Sequence, residues 1–399
     1  MNSSRSSGLK PAFDLAARSM GFSLVGVALL CLVAPAPLPA GADTISGEID
    51  GYRYRLFVPE SASSAVARPL LVVLHGCRQS AQDMIRLSGF HALAQAQNLA
   101  VLYPETEASA GNPYGCWRWW VPENHVRTGG EPEIIVRMVA EAAAATAVDR
   151  DRVYAAGFSS GGAMSAILGA LYPDVFAAVG AHSGIPYAAA GDGSCVLDVM
   201  SDGASGVESS AAIAYHSRGK VQRPMPLMVI HGEEDEVVAA ENATGLIRQF
   251  AQLNDIADDG DGGNQSVDAK ADSSREDRIG DGRPFRINSY YDARGEEIMR
   301  EVRVAGMGHD WSGGPADAAF SDPRGPDAAS LLWSFFKHRT LKDPPLKKAK
   351  TATCRERYGS NFAHYWWHRR MSRDEYRCDP WGWTWRRGFD GEWAAGRCP

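Results

Sequence analysis

The sequence predicts an α/β fold, a mostly parallel central sheet with helices on both faces, plus a small C-terminal Cys/Trp-rich module. Short continuous apolar runs rich in strand-forming residues recur at 69–74, 100–103, 152–156, 175–181 and 226–230. Such runs are the pattern of strands buried on both faces. Helical patterns at 132–147 and 160–171 lie between them, so the strands run parallel and the helices cover the sheet. The composition then changes over 353–399, which carries Trp366, Trp367, Trp381, Trp383, Trp385, Trp393, Cys354, Cys378, Cys398 and an excess of Arg.

Taken in chain order, Arg5, Lys10 and Arg18 precede an apolar run over about 21–33, then Pro35, Pro37, Pro39 and the small residues Ala40, Gly41 and Ala42. This reads as a secretory signal over 1–42, with an uncleaved anchor as the alternative, disfavoured because the run falls short of about 20 residues. Six cysteines remain beyond it, Cys77, Cys116, Cys195, Cys354, Cys378 and Cys398. An even number in an exported chain points to disulfides, and no C-x-x-C pair suggests a metal or redox site. The 132–147 helix opens with Pro132 in its first turn and gathers Ile134, Ile135, Met138, Val139 and Ala142 on one face. Residues 254–284 are acidic, Gly-rich and poor in large apolar side chains, and are expected as a mobile surface insertion. The DDGDGG stretch within them has a Gly where a calcium loop needs an oxygen ligand. Around Asp292, Ala293, Arg294 and Gly295 a paired-strand pattern leads into Val302, Arg303 and Val304. The expected domains are a catalytic domain at 43–341, a linker at 342–352 and the module at 353–399.

With 45% hydrophobic and 22% charged residues the chain is neither collagen-like nor wholly disordered. The net charge is −7, but the part after residue 338 is basic and the remainder strongly acidic. An acidic body excludes nucleic acid as its partner and leaves the basic tail as a binder of anionic surfaces.

The chemistry starts at Gly157-Phe158-Ser159-Ser160-Gly161. A strand before and a helix after place this G-x-S-x-G in the setting of a nucleophile elbow. The helix N-terminus aims its amides at developing negative charge. A serine hydroxyl needs a base, and the order Ser, then Asp or Glu, then His is expected downstream. Asp235 follows the 226–230 strand, and His309 lies between Gly308 and Asp310 beyond Val304. Glu233 or Glu234 is the alternative acid, and His182 or His231 the alternative base. Upstream, His75 and Gly76 end the 69–74 strand, where an HG turn offers the Cys77 N–H as one oxyanion donor beside that of Ser160. His75 is expected to brace this turn, and His231 to hold its own loop.

These stretches, with YPE (103–105), CWRWW (116–120), GGEPEII (129–135), YPDVFAAVGAHSGIPYAAA (172–190) and GMGHDWSGG (306–314), resemble those of polyhydroxybutyrate (PHB) depolymerase family esterases. That α/β-hydrolase group also includes feruloyl and acetylxylan esterases. The likeness covers about residues 45–340. It implies Ser159, Asp235 and His309 as the triad, Cys77 and Ser160 as the oxyanion hole, and neither metal nor organic cofactor. It also places the loop of Trp117, Trp119 and Trp120 close to the cleft, where the rings would form a wall for an acyl chain or aromatic acid. Core packing is the alternative for each, and alternation along the loop leads to the expectation of one of Trp117 and Trp119 buried and one at the cleft. Trp311 and Ser312 are expected to support the His309 loop. With both loops near the cleft, Cys77 is paired with Cys116, leaving Cys195 for Cys354, Cys378 or Cys398.

The function expected is that of a secreted serine esterase, extracellular or periplasmic. Its substrate is an ester, most simply a poly- or oligo(3-hydroxyalkanoate). Feruloyl or acetyl esters of plant polysaccharides are the alternative. A different class of reading is a non-catalytic polymer-binding protein on the same scaffold, with the Trp/Arg tail on an anionic surface as its active part. A tail whose aromatics only fill the core of a small disulfide module is the plainer view.

Overall fold

The computed structural model describes residues 43–60, 67–191 and 193–342. The expected signal, the linker and the Cys/Trp/Arg-rich module lie outside them. Ten strands form one sheet: β1 (Asp43–Ile49), β2 (Tyr52–Val58), β3 (Arg68–Leu74), β4 (Ala100–Glu105), β5 (Val148–Phe158), β6 (Ala178–His182), β7 (Leu227–Gly232), β8 (Ser273–Arg278), β9 (Pro284–Tyr291) and β10 (Glu297–Val304). Their order is β1-β2-β4-β3-β5-β6-β7-β10-β9-β8. The central pairs from β4 to β10 are parallel, and antiparallel pairs flank them on both sides. The chain is a mixed α/β protein, as its sequence predicts.

The helices are α1 (Ala81–Leu87), α2 (Phe90–Gln97), α3 (Glu131–Ala145), α4 (Ser160–Leu171), α5 (Val196–Asp202), α6 (Val207–Ser217), α7 (Glu241–Asp259) and α8 (Ala328–Phe336). Strand periodicity divides the core in two. Leu70, Val72 and Leu74 of β3 face a cluster with Ile135, Met138, Ile167 and Phe250 from α3, α4 and α7. Leu71 and Val73 face the other cluster, with Met84, Phe90, Leu332 and Phe336 from α1, α2 and α8. Every residue of α4 is buried, because it runs directly behind the sheet's centre, and its Ala- and Gly-rich sequence permits that closeness. The α3 face expected from sequence is found, with Pro132 in the first turn and Ile135, Met138, Val139 and Ala142 buried. The hairpin expected around residues 292–295 joins β9 to β10.

Residues 254–284 differ from the expected surface insertion. The first six complete α7, with Asn254, Asp255 and Asp258 buried. Asn254 clamps the Met225 backbone, accepting from its N–H at 2.6 Å and donating to its carbonyl at 3.0 Å. Asp255 accepts from the backbone N–H and hydroxyl of Ser266 at 2.7 and 2.9 Å, fastening the loop that follows. The acidic character that reads as solvation is therefore partly a set of internal acceptors. The surface expectation holds farther along: residues 268–270 and 272–281 are exposed, β8 among them, and the charges of β8 suit an edge strand that must not pair further.

Among the described residues, no helix is long and apolar enough to cross a membrane.

Candidate active site

The site assembles at the C-terminal ends of the parallel strands, where open α/β sheets place their ligands. Between β5 and α4 the chain turns sharply, and Ser159 takes φ 55° and ψ −119°. A non-glycine residue adopts this conformation only when its surroundings impose it. They do so here: the Ser159 N–H donates to the His182 carbonyl at 2.9 Å, and its own carbonyl accepts from Ala163 N–H at 3.0 Å. Gly161 makes the turn possible, because a Cβ there would lie 2.3 Å from the Leu74 carbonyl oxygen.

The candidate base and acid, His309 and Asp235, lie on the loops after β10 and β7. His309 Nε2 stands 2.9 Å from Ser159 Oγ, and Nδ1 stands 2.8 Å from Asp235 Oδ2. With Nδ1–H donating to the carboxylate, the Nε2 lone pair faces the serine hydroxyl. Asp235 is buried, and its Oδ1 accepts the N–H groups of Val237 and Val238 at 3.0 and 2.8 Å. Burial alone would raise its pKa, but hydrogen bonds from His231 and His309 hold it well below the ordinary carboxylate range. Glu233 and Glu234 are exposed, and among the described residues the hydrogen bonds of the His309 ring go to Asp235 and Ser159.

The alternative bases have structural partners. His231 Nε2 donates to the Val238 carbonyl at 2.8 Å and lies 3.4 Å from Asp235, holding the 235–238 turn as expected. His182 accepts the Ser312 N–H at 3.0 Å on Nε2 and stacks on Trp311 with ring centroids 4.8 Å apart. Burial pushes its pKa well below the usual value, with the His231 and His309 charges adding to the shift, so it stays neutral as a brace. Trp311 and Ser312 thus support the His309 loop, and Phe158 packs against the His309 ring at 4.9 Å. The part of His182 and Phe158 in positioning His309 is not legible in the sequence, where only their places beside the elbow and a strand end mark them.

The HG turn lies against the serine: a Cβ on Gly76 would meet Ser159 Cβ at 3.2 Å. Gln79 Oε1 accepts the Gly76 N–H at 2.8 Å. His75 bonds its own turn through Nδ1 to the Gly76 carbonyl at 2.7 Å and accepts the Thr106 N–H at 3.1 Å. Burial lowers its pKa, which suits a neutral brace. Among the described residues, neither the Cys77 nor the Ser160 N–H has a hydrogen-bond partner.

Cys77 is disulfide-bonded to Cys116 across 39 residues. The chain-entropy model gives a loop of this length about 4 kcal/mol. The double variant Cys77→Ser, Cys116→Ser is expected to lose stability of that order, read from the urea midpoint at unchanged m-value; an unshifted midpoint would deny the bond any role in holding the turn. Cys195 is also disulfide-bonded; its expected partners Cys354, Cys378 and Cys398 lie outside the described residues.

The tryptophan wall requires correction. Trp117 and Trp119 are both buried, at 0% and 3% exposure, and only Trp120 is half-buried. The Trp119 N–H bonds the Trp117 carbonyl at 2.9 Å, a three-residue turn that breaks strand-like alternation and sends both rings inward. Trp117 stacks on Tyr52 with centroids 6.2 Å apart, and Trp119 meets Trp120 edge-on at 5.7 Å. The loop is fixed by Glu131, a residue that sequence reasoning passed over although it sits in the GGEPEII stretch. Its buried carboxylate accepts Arg118 N–H at 2.8 Å, Arg118 Nε at 3.1 Å and Asn124 Nδ2 at 2.8 Å.

An elbow, a Ser-His-Asp chain and strand ends gathered in this order define the α/β-hydrolase class. The esterase PHB depolymerase family model matches residues 52–277, more than half of the chain, and the protein belongs to that family. It is 33% identical over 253 residues to poly(3-hydroxyalkanoate) depolymerase C of Paucimonas lemoignei, covering 62% of this chain and 56% of that one. It is 28% identical over 207 residues to feruloyl esterase B of Talaromyces funiculosus, covering 50% and 57% respectively. The chain thus spans a little over half the length of these two relatives. Among solved structures, the acetyl xylan esterase from Aspergillus awamori superposes with a TM-score of 0.58 at 18% identity, covering 74% of this chain and 99% of that one, a likeness of fold.

Proposed function

We propose that the protein is a serine esterase that cleaves carboxylic esters through an acyl-enzyme on Ser159. The observation that carries this reading is the continuous chain Ser159 Oγ, His309 Nε2, His309 Nδ1, Asp235 Oδ2, with links of 2.9 and 2.8 Å. His309 takes the Ser159 proton as the hydroxyl attacks the ester carbonyl, and the oxyanion is held by the Cys77 and Ser160 amides. The alcohol leaves with that proton, and water then releases the acid by the same steps. Asp235 fixes the tautomer and stabilises the imidazolium. No step calls for a metal or an organic cofactor. The disulfides at Cys77–Cys116 and Cys195 support work outside the reducing cytoplasm.

Hydroxyalkanoate esters are the substrate class we favour, because the more identical of the two relatives above is a poly(3-hydroxyalkanoate) depolymerase. Feruloyl and acetyl esters of polysaccharides are the second reading, from the relative named feruloyl esterase B. Purified protein assayed on p-nitrophenyl butyrate, then on hydroxybutyrate oligomers, methyl ferulate and acetylated xylan, tests both levels. Hydrolysis of the first is expected. Its absence, with retained binding of a polymer, would favour a binding protein.

The pH profile is a further expectation. His309 must be neutral to accept a proton, so kcat/KM falls as pH is lowered, with a single-proton dependence. Asp235, held well below the ordinary carboxylate range, stays ionised and adds no second step at mildly acidic pH. A rate flat down to pH about 4 would remove an imidazole base from the mechanism.

A further inference from the structure

Arg78 directly follows Cys77 on the turn that touches Ser159. Its backbone lies in the left-handed region at φ 63°, a conformation uncommon for a long side chain and one that needs support. The support comes from the neighbouring loop. The Arg78 N–H donates to the Tyr114 carbonyl at 2.7 Å, and the Cys77–Cys116 disulfide ties the same two segments together. The guanidinium then lies over the Tyr114 ring, 4.6 Å from its centroid, a cation–π contact that fixes its place without neutralising it. Arg78 and Tyr114 are both exposed, Tyr114 at 53%. Among the described residues no carboxylate pairs with Arg78, whereas on the loops around His309 Arg283 is bonded to Asp322. An oriented, exposed cation next to the HG turn, on a strongly acidic body, is thus left without a carboxylate partner among the described residues.

Resting on the serine-esterase reading, we propose that Arg78 is a specificity-determining residue that binds a free carboxylate on the substrate, making the enzyme selective for esters of acidic molecules over neutral ones. A planar guanidinium pairs a carboxylate through two parallel N–H···O bonds, which a neutral amide or hydroxyl of the same shape cannot match. The Tyr114 ring beneath keeps the fork in place, so little ordering is lost on binding.

Two matched pairs of esters test this and also report the side of the scissile bond that Arg78 serves. The first pair is 3-(butyryloxy)butanoic acid and its primary amide, with the charge on the alcohol part. The second is mono(p-nitrophenyl) glutarate and the corresponding 4-carbamoylbutanoate ester, with the charge on the acyl part. The wild-type enzyme is expected to prefer the acid in one pair. In Arg78→Gln the acid-to-amide ratio of kcat/KM in that pair falls about tenfold, mostly through KM, the loss of one charge-assisted pair at an exposed site. Arg78→Lys retains part of the ratio, since it keeps the charge and loses the fork. Raising the ionic strength lowers the wild-type ratio and does not lower that of Arg78→Gln. Ratios in both pairs that are the same in wild type and Arg78→Gln overturn the proposal, as does an equal loss on acid and amide, which would make Arg78 a brace of the turn. Failure of the wild-type protein to cleave even p-nitrophenyl butyrate would instead overturn the esterase reading on which the proposal rests.

Discussion

Ester hydrolysis is expected to fall about 10⁶-fold on Ser159→Ala, the magnitude that loss of the nucleophile has in a serine-protease triad. The hydroxyl removed is the one that His309 Nε2 reaches at 2.9 Å, and no other hydroxyl contacts that nitrogen among the described residues. The expected loss is in kcat, because the variant keeps the turn that binds the ester and lacks only the atom that forms the acyl bond. Folding is not expected to suffer. The left-handed backbone at Ser159 is held by main-chain bonds to His182 and Ala163, and alanine shares the conformational cost of serine there. Circular dichroism and the unfolding midpoint should match the parent. A variant that retains more than about a thousandth of the parent rate would mean that the ester is attacked by another group, such as a water molecule activated by His309.

Asp235→Asn is expected to cost about 10⁴-fold in kcat, again by the precedent of a serine-protease triad. The amide keeps the shape of the carboxylate, so Oδ1 can still accept the Val237 and Val238 N–H groups that shape the turn. What changes is the group facing His309. An NH₂ in place of Oδ2 donates to Nδ1, forces the proton onto Nε2, and turns the base away from Ser159 as an acceptor. The half-buried imidazolium formed during attack also loses its counter-charge. His231 Nε2 donates to the Val238 carbonyl at 2.8 Å, a bond that does not involve Asp235 and should keep the loop folded. Near-parent activity would move the acid's role to Glu233 or Glu234, against their exposure. Measured beside Ser159→Ala, the two variants separate loss of the nucleophile from loss of the tautomer.

The core of the site is legible because its chemistry is local in sequence. G-x-S-x-G needs glycine where Gly161 passes the Leu74 carbonyl, and that need is written in the residues themselves. Asp235 and His309 follow strands whose apolar runs are equally plain, so the order along the chain places them at the sheet's rim. Legibility fails where position depends on contacts between distant segments. The burial of Trp117 and Trp119 follows from a turn at 117–119 and from Glu131 bonding backward to Arg118 and Asn124, and no periodicity announces either. The 254–284 segment misleads for a related reason. Asp255 and Asp258 look like solvated charges in sequence, whereas Asp255 serves as an internal acceptor for Ser266. Arg78 looks like any surface arginine until the Tyr114 ring and the disulfide beside it are seen together. Arg283 is instead paired with Asp322, and sequence carries no sign of which cation finds a carboxylate.

The central claim, an acyl-enzyme formed on Ser159 and activated by His309, is tested most directly by covalent capture. The purified protein should be treated with a fluorophosphonate ester, and intact mass followed by peptide mapping should locate the adduct. The account predicts one adduct per chain on the peptide containing Ser159, with loss of ester hydrolysis in proportion to labelling. It also predicts no adduct in Ser159→Ala and slow labelling in His309→Ala. An unlabelled parent protein that still cleaves esters, or an adduct on any other residue, would contradict it.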